Sequence, residues 1–302
     1  MTVTPVIQYA SDLHLEFYAN VPRDGEFFRR LVVPAPNSDI LVLAGDIGHA
    51  EAHITQKFLE WCCSNWKYVI WVYGNHEYYN KKPSEKWKYV KPYTMADKEQ
   101  AGRDLQERLL NLRVLNKQSV VFPEFPDYVF IGATLWTYIP EGQEANIGYT
   151  FSDFKYISAE YTLEDGYTRF TPEYWSILHQ MHTDFLLDTI EGNPRKCIVI
   201  THHLPSYAMI LDHFKMDEFN YGFATDLEYL LEKSQVVAWI CGHSHGQKQI
   251  DKGPCYLNAR GYPNEQSQFT YNPSKCISLQ PLPVKKPLEM IPEDQDTVLD
   301  FV

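Results

Sequence analysis

The stretch Tyr68-Val69-Ile70-Trp71-Val72-Tyr73-Gly74-Asn75-His76-Glu77 decides how the rest of the chain is read. Its first six residues are apolar or aromatic without a break and partly β-branched, which is the composition of a strand buried on both faces. Gly74 ends the run and frees the backbone to turn. Asn75 and His76 then fall at the carboxyl end of a parallel strand, the edge where open α/β sheets place their ligands. Asn and Gly are also ordinary turn residues, so Gly-Asn-His gains weight only from the other turns of the chain.

Working outward, the same pattern recurs. Val6-Ile7-Gln8-Tyr9-Ala10 runs into Ser11-Asp12-Leu13-His14, and Asp12 and His14 share one side if extended geometry persists. Residues 18–38 read as an excursion with one helical turn around 26–31. Residues 39–44 form a second buried run closed by Gly45-Asp46, with His49 three residues beyond. Ile54, Phe58, Leu59, Trp61 and Cys62 follow helical spacing, a crossover helix over 52–64 that returns to the strand at 68–73. Strand followed by polar turn, three times over, is the βαβ pattern of a mainly parallel sheet.

Residues 77–98 mix tyrosines and Trp87 with Lys81, Lys82, Lys86, Lys88 and Lys91, a basic aromatic segment that reads as a lid for an anionic substrate or as a solvated loop. Helical spacing covers 99–112. A short apolar run at 120–122 stops at Pro123, and 128–133 is a further strand. Residues 135–170 read as loops with Ser152-Asp153-Phe154 as an anchor, and Thr171-Pro172 starts a helix reaching Ile190. A strand at 197–200 delivers Thr201-His202-His203. The capping-box pattern Thr225-Asp226-Leu227-Glu228 predicts a helix to about residue 233. The run at 236–241 leads into Gly242-His243-Ser244-His245, and 256–258 and 276–279 read as closing strands. The expected organisation is one domain over 1–280 with a proline-rich tail at 281–302.

With 302 residues, 44% of them hydrophobic, the chain can bury a large core. A net charge of −12 argues against gripping nucleic acid over a wide basic face. No run approaches the length of a membrane span and the first residues lack a signal-peptide pattern, so a cytoplasmic protein is expected. Six cysteines without a Cys-x-x-Cys pair read as reduced core thiols.

Five apolar runs thus end in polar residues drawn from Asp, His and Asn, and a parallel sheet brings such ends to one edge. Asp12, His14, Asp46, Asn75, His202, His243 and His245 supply donors for two divalent cations if one carboxylate bridges. Imidazole with carboxylate suits Mn, Fe or Zn without thiolate. Two divalent ions, two carboxylates and one hydroxide leave the cluster net positive, which suits a phosphoryl oxygen.

The ordered set Asp-x-His, Gly-Asp, Gly-Asn-His, His with a nearby Pro, and Gly-His-x-His spans residues 12–245 and resembles the calcineurin-like metallophosphoesterase superfamily, in its small bacterial-type phosphohydrolase branch. The resemblance implies a four-layer α/β/β/α sandwich, two mixed sheets flanked by helices with a dinuclear centre at the strand ends. It implies that Asp12, His14 and His245 hold one metal, that Asn75, His202 and His243 hold the other, that Asp46 bridges and that His76 is the general acid. His203 is left beside the ligands. The family's Gly-Asp block often continues with an acidic residue or Asn, whereas here it reads Ile47-Gly48-His49, which leaves His49 as a rim contact. Arg260, in Asn258-Ala259-Arg260-Gly261-Tyr262, resembles a substrate-contacting Arg of small bacterial-type members.

The function expected on this reading is hydrolysis of a phosphomonoester or phosphodiester by a metal-bridging hydroxide, with small organic or nucleotide phosphoesters ahead of nucleic acids. The rivals are a phosphoprotein phosphatase, a metallohydrolase acting on an amide or lactone, and a non-catalytic scaffold on the same fold.

Overall fold

Alternation within the buried runs decides the layering. In β2 (Ile40–Ala44), Ile40, Val42 and Ala44 face one way, Leu41 and Leu43 face the other, and all five are buried. A strand buried on both faces needs a layer on each side of it.

The computed structural model describes residues 3–18, 24–80, 92–160, 168–250 and 253–279. In chain order the elements are β1 (Val6–Ala10), α1 (Gly25–Leu31), β2, α2 (His53–Asn65), β3 (Tyr68–Val72), α3 (Met95–Arg108), β4 (Leu112–Leu115), β5 (Gln118–Val120), β6 (Tyr128–Ala133), α4 (Glu144–Thr150), α5 (Asp153–Tyr156), α6 (Pro172–Glu191), β7 (Lys196–Thr201), α7 (Glu228–Leu231), β8 (Val236–Cys241), β9 (Gln247–Ile250), β10 (Cys255–Asn258), α8 (Ser267–Thr270) and β11 (Cys276–Ser278).

One sheet has the order β11-β1-β2-β3-β4, parallel except at β11. The other has the order β5-β6-β7-β8-β10-β9, antiparallel at its two edges and parallel within. Ile7, Val42 and Ile70 of the first sheet meet Phe130, Ile200 and Ile240 of the second in the layer between them. Phe28, Phe58 and Leu105 cover the outer face of the first sheet, and Leu186, Ile190 and Leu230 that of the second. This is the expected four-layer sandwich. Because the two sheets lie face to face, the carboxyl ends of β1, β2 and β3 share a rim with those of β7 and β8.

The structure departs from the sequence reading in several local places. The helix expected at 99–112 starts earlier, where Thr94 and Asp97 close a capping box, and it ends at Arg108 so that Leu112 can pair with Val69 in β4. Thr225 does not cap α7; it is buried with its hydroxyl 3.4 Å from His179 Nε2, and Glu228 accepts from Ser206 Oγ at 2.7 Å. A tertiary partner for each side chain outweighs the local capping bond. The loop region 135–170 contains α4 and α5, and β9, polar except for Ile250, pairs with β10. Residues 81–91 of the basic aromatic segment and the tail beyond 279 lie outside the described residues. All six cysteines are free, with Cys62, Cys197, Cys241 and Cys255 buried.

Phe130 is fully buried between the sheets. Phe130→Ala is expected to lower stability by about 3–5 kcal/mol, read as a lower urea midpoint with an unchanged slope.

Candidate metal centre

At the shared rim the backbone is bent in an unusual way. Asp12, His14, Asp46 and His243 have φ of 54°, 49°, 54° and 67°, the left-handed region that non-glycine residues seldom enter. Such conformations persist only where surrounding contacts over-determine them. Here the turns bind one another: Asp12 N–H donates to Gly45 O at 2.9 Å, His14 N–H to Asp46 O at 2.9 Å, and Gly242 N–H to His202 O at 2.9 Å. His76 N–H donates to Asp46 Oδ1 at 2.9 Å, and His243 N–H reaches both oxygens of Asp12 at 3.1 Å.

The strand ends thereby bring all seven expected donors together. Asp12, His14 and His245 offer ligand atoms within 4.8 Å of one another, and so do Asp46, His202 and His243. His14 Nε2 lies 3.2 Å from His245 Nε2, and His202 Nε2 lies 3.2 Å from His243 Nδ1. Asp46 stands between the two sets, with Oδ1 3.4 Å from His202 Nε2 and Oδ2 3.9 Å from His14 Nε2. Asn75 Oδ1 faces His202 Nε2 at 3.1 Å, while its amide nitrogen donates to Asp153 Oδ1 at 2.9 Å, which settles which end of the amide points inward.

The far side of each imidazole is equally defined. His14 Nδ1 meets Glu16 Oε1 at 2.9 Å, His202 Nδ1 meets Ala44 O at 3.0 Å, His245 Nδ1 meets Glu265 Oε2 at 2.6 Å, and His243 Nε2 meets Gly222 O at 3.2 Å. Metal-bound histidines are oriented in this manner, one nitrogen on an oxygen acceptor and the other free to ligate. The donor set therefore fits metal ions.

The field of the cluster favours positive charge. Burial opposes ionising His202, yet Asp46 outweighs it and pushes the ring up to about 9. Burial likewise opposes His245, which Asp12 and Glu265 push up to about 10. Buried Asp46 is held well below the usual carboxylate range by His202, His76 and His14. His243 stays neutral, because burial and then the neighbouring His202 push it down.

The sequence matches the calcineurin-like phosphoesterase family over residues 7–247. The chain belongs to the calcineurin-like phosphoesterases. It is similar to an uncharacterized protein, L509, of Acanthamoeba polyphaga mimivirus, with 27% identity over 289 residues that cover 92% of this chain and 98% of that one. Among solved structures it is similar in fold to the phosphopantetheinyl hydrolase PptH of Mycobacterium tuberculosis, with a TM-score of 0.64 and 17% identity across 95% of this chain and 100% of that one.

Within this calcineurin-like fold, the side chains that sequence reasoning passed over are carboxylates. Glu77 closes the opening stretch and is fully buried, where it accepts from the N–H groups of Asp46, Ile47, Gly48 and Gly74 at 2.9, 2.7, 3.1 and 2.6 Å. One carboxylate thus ties the Gly-Asp turn to the Gly-Asn-His turn. A Cβ on Gly74 would collide with Asp46 Oδ1 and stand 2.7 Å from His202 Cε1, so only glycine fits between them. Glu16, Asp153 and Glu265 have no local signature beyond a polar residue in a loop; the expected anchor Ser152-Asp153-Phe154 supplies Asp153 to Asn75, a partner its sequence does not indicate.

Three expected substrate contacts are placed differently from the ligands. Arg260 is turned aside, Nη1 donating to Tyr18 Oη at 2.7 Å and Nη2 to Gln268 Oε1 at 3.2 Å. His203 is fully buried behind the centre between Trp136 and Trp175, its Nδ1 3.2 Å from Thr134 O. His49 lies on a side cavity with Glu51, His53 and His76.

Glu77→Ala would strip four buried N–H groups of their acceptor, each worth about 1–3 kcal/mol. The variant is expected to lose more than about 3 kcal/mol in a urea melt, while exposed Glu218→Ala stays within about 0.5 kcal/mol of the parent.

Proposed function

We propose that the chain is a metal-dependent phosphoesterase acting on a small organic or nucleotide phosphoester, with two ions of the Mn, Fe or Zn type. Asp12, His14 and His245 would hold one ion, Asn75, His202 and His243 the other, and Asp46 would bridge. The observation that carries this reading is the paired orientation of the four imidazoles, each with one nitrogen aimed at the carboxylates and the other on an oxygen. A metal pair in such a site supplies a hydroxide nucleophile near neutral pH and neutralises charge on the phosphoryl oxygens. No described helix is long and apolar enough to cross a membrane.

The rest of the chemistry belongs to the chain. His76 stands at the cavity wall with its ring stacked on Tyr79 at 4.2 Å, Nδ1 3.1 Å from Glu16 Oε1 and Nε2 2.9 Å from Tyr262 Oη. Burial opposes its charge, but Asp46 and Glu16 push it up to about 9, so it holds a proton at neutral pH. Its role is to hand that proton to the departing oxygen, a step worth about 10² to 10⁴ in rate. Glu16 keeps the ring turned toward the cavity.

Two experiments test this. Purified protein loaded with Mn²⁺ is expected to bind two ions per chain and to hydrolyse phosphoesters, with Asp46→Asn losing both metal and activity. His76→Ala should keep its metals and lose about 10² to 10⁴ in kcat on an ester with a poor leaving group, and far less on an activated one. Parental turnover of the poor ester by this variant would refute the acid role.

A further inference from the structure

A cavity of about 1090 Å³ opens beside the centre and is walled by Asp46, His76, His243 and His245 at its inner end. Four carboxylates line it, namely Asp46, Asp153, Asp217 and Glu265, and no Lys or Arg does so among the described residues. The smaller neighbouring cavity adds Glu16 and Glu51, again without Lys or Arg among the described residues. Among the described residues the nearby cations are engaged elsewhere: Arg260 with Tyr18 and Gln268, Lys248 with Ile210 O and Asp212, and Lys98 with Glu51.

The charge count at the centre points the same way. Two divalent ions bring four positive charges, which Asp12 and Asp46 reduce to two. Glu16 and Glu265, each hydrogen-bonded to a histidine of the expected ligand set, cancel the remainder, with the negative charge of the hydroxide set against the proton proposed for His76. Such a centre suits a monoanion better than a dianion. A phosphomonoester carries close to two negative charges at neutral pH, since its second pKa is about 6, whereas a phosphodiester carries one.

The outer wall supplies the second constraint. Phe223 packs at a tilt against His243 with ring centroids 4.7 Å apart, Phe151 follows at 5.7 Å, and Ile210, Leu211, Phe214 and Phe219 continue the surface outward. A substituent leaving the phosphorus in that direction meets mainly carbon, with His213 and Asn220 as polar residues among the aromatic ones and no Lys or Arg among the described residues to pair with further phosphates.

Building on the phosphoesterase reading above, we infer that the substrate is a phosphodiester with at least one extended, uncharged, largely apolar arm, and that the reaction stops at the monoester. Water adds to phosphorus, one P–O ester bond breaks, and the departing oxygen takes a proton to leave as an alcohol. The product monoester then gains a second negative charge by ionising, and the carboxylates that line the cavity expel it.

The test uses the full chain loaded with Mn²⁺ and has a binding arm and a turnover arm. Diphenylphosphinate is a monoanion with two apolar arms, and phenylphosphonate is a dianion at mildly alkaline pH; neither can be hydrolysed. Calorimetry is expected to show the phosphinate binding at least about tenfold more tightly. Phe219→Ala should weaken the phosphinate by about fivefold while leaving the phosphonate nearly unchanged. With bis(p-nitrophenyl) phosphate, one equivalent of nitrophenol should appear and p-nitrophenyl phosphate should accumulate. Tighter binding of the phosphonate, or faster hydrolysis of the monoester, would overturn this inference and leave the phosphoesterase reading standing. Protein that holds two metal ions yet hydrolyses neither ester would overturn both.

Discussion

Asp46 is 2% exposed, carries a left-handed backbone, and stands between His14 and His202, which follow strands of opposite sheets. A buried carboxylate is tolerable only if positive charge and hydrogen-bond donors surround it. Its Oδ1 takes the backbone N–H of His76 and faces His202, and its Oδ2 faces His14. Much of the local architecture can be understood as the means of holding that one side chain there. The left-handed turns, the glycine at 74 and the close approach of the two sheets at this rim each remove something that would otherwise push it away.

Glu77 is the counterpart within the backbone. Four N–H groups from two turns converge on it, so a single buried side chain satisfies donors that neither turn could satisfy alone. Satisfying them fixes the distance between the Gly-Asp and Gly-Asn-His turns and, with it, the separation of Asp46 from Asn75. Around this frame Glu16, Glu265 and Asp153 orient His14, His76, His245 and Asn75. The same carboxylates that orient the histidines also place negative charge beside the site, so its rigidity and its electrostatics share one set of residues.

The inter-sheet core explains why a site assembled from so many segments can be rigid. Phe130, Ile200 and Ile240 interlock with Val42 and Ile70, so the two sheets cannot slide without opening cavities. The expected ligands sit one to four residues beyond the strands of the two sheets, and their positions inherit the precision of the packing.

Much of this was legible along the chain, because strands buried on both faces, crossover helices and strand-ending turns are short-range patterns. Val6–Ala10, Ile40–Ala44, Tyr68–Val72, Tyr128–Ala133 and Val236–Cys241 are strands where apolar runs predicted them. Reading failed where the outcome depended on a distant partner: Leu112 went to β4 and not to the helix, and Thr225 faced His179 instead of capping α7. By itself the sequence determined the layered α/β class and the order of the polar turns, since period and turn chemistry act within a few residues. Tertiary structure alone decided that Glu16, Glu77, Asp153 and Glu265 serve the centre while Arg260 turns away from it. A lone carboxylate or guanidinium has no local pattern, and its role is set by whatever the fold brings within hydrogen-bonding distance.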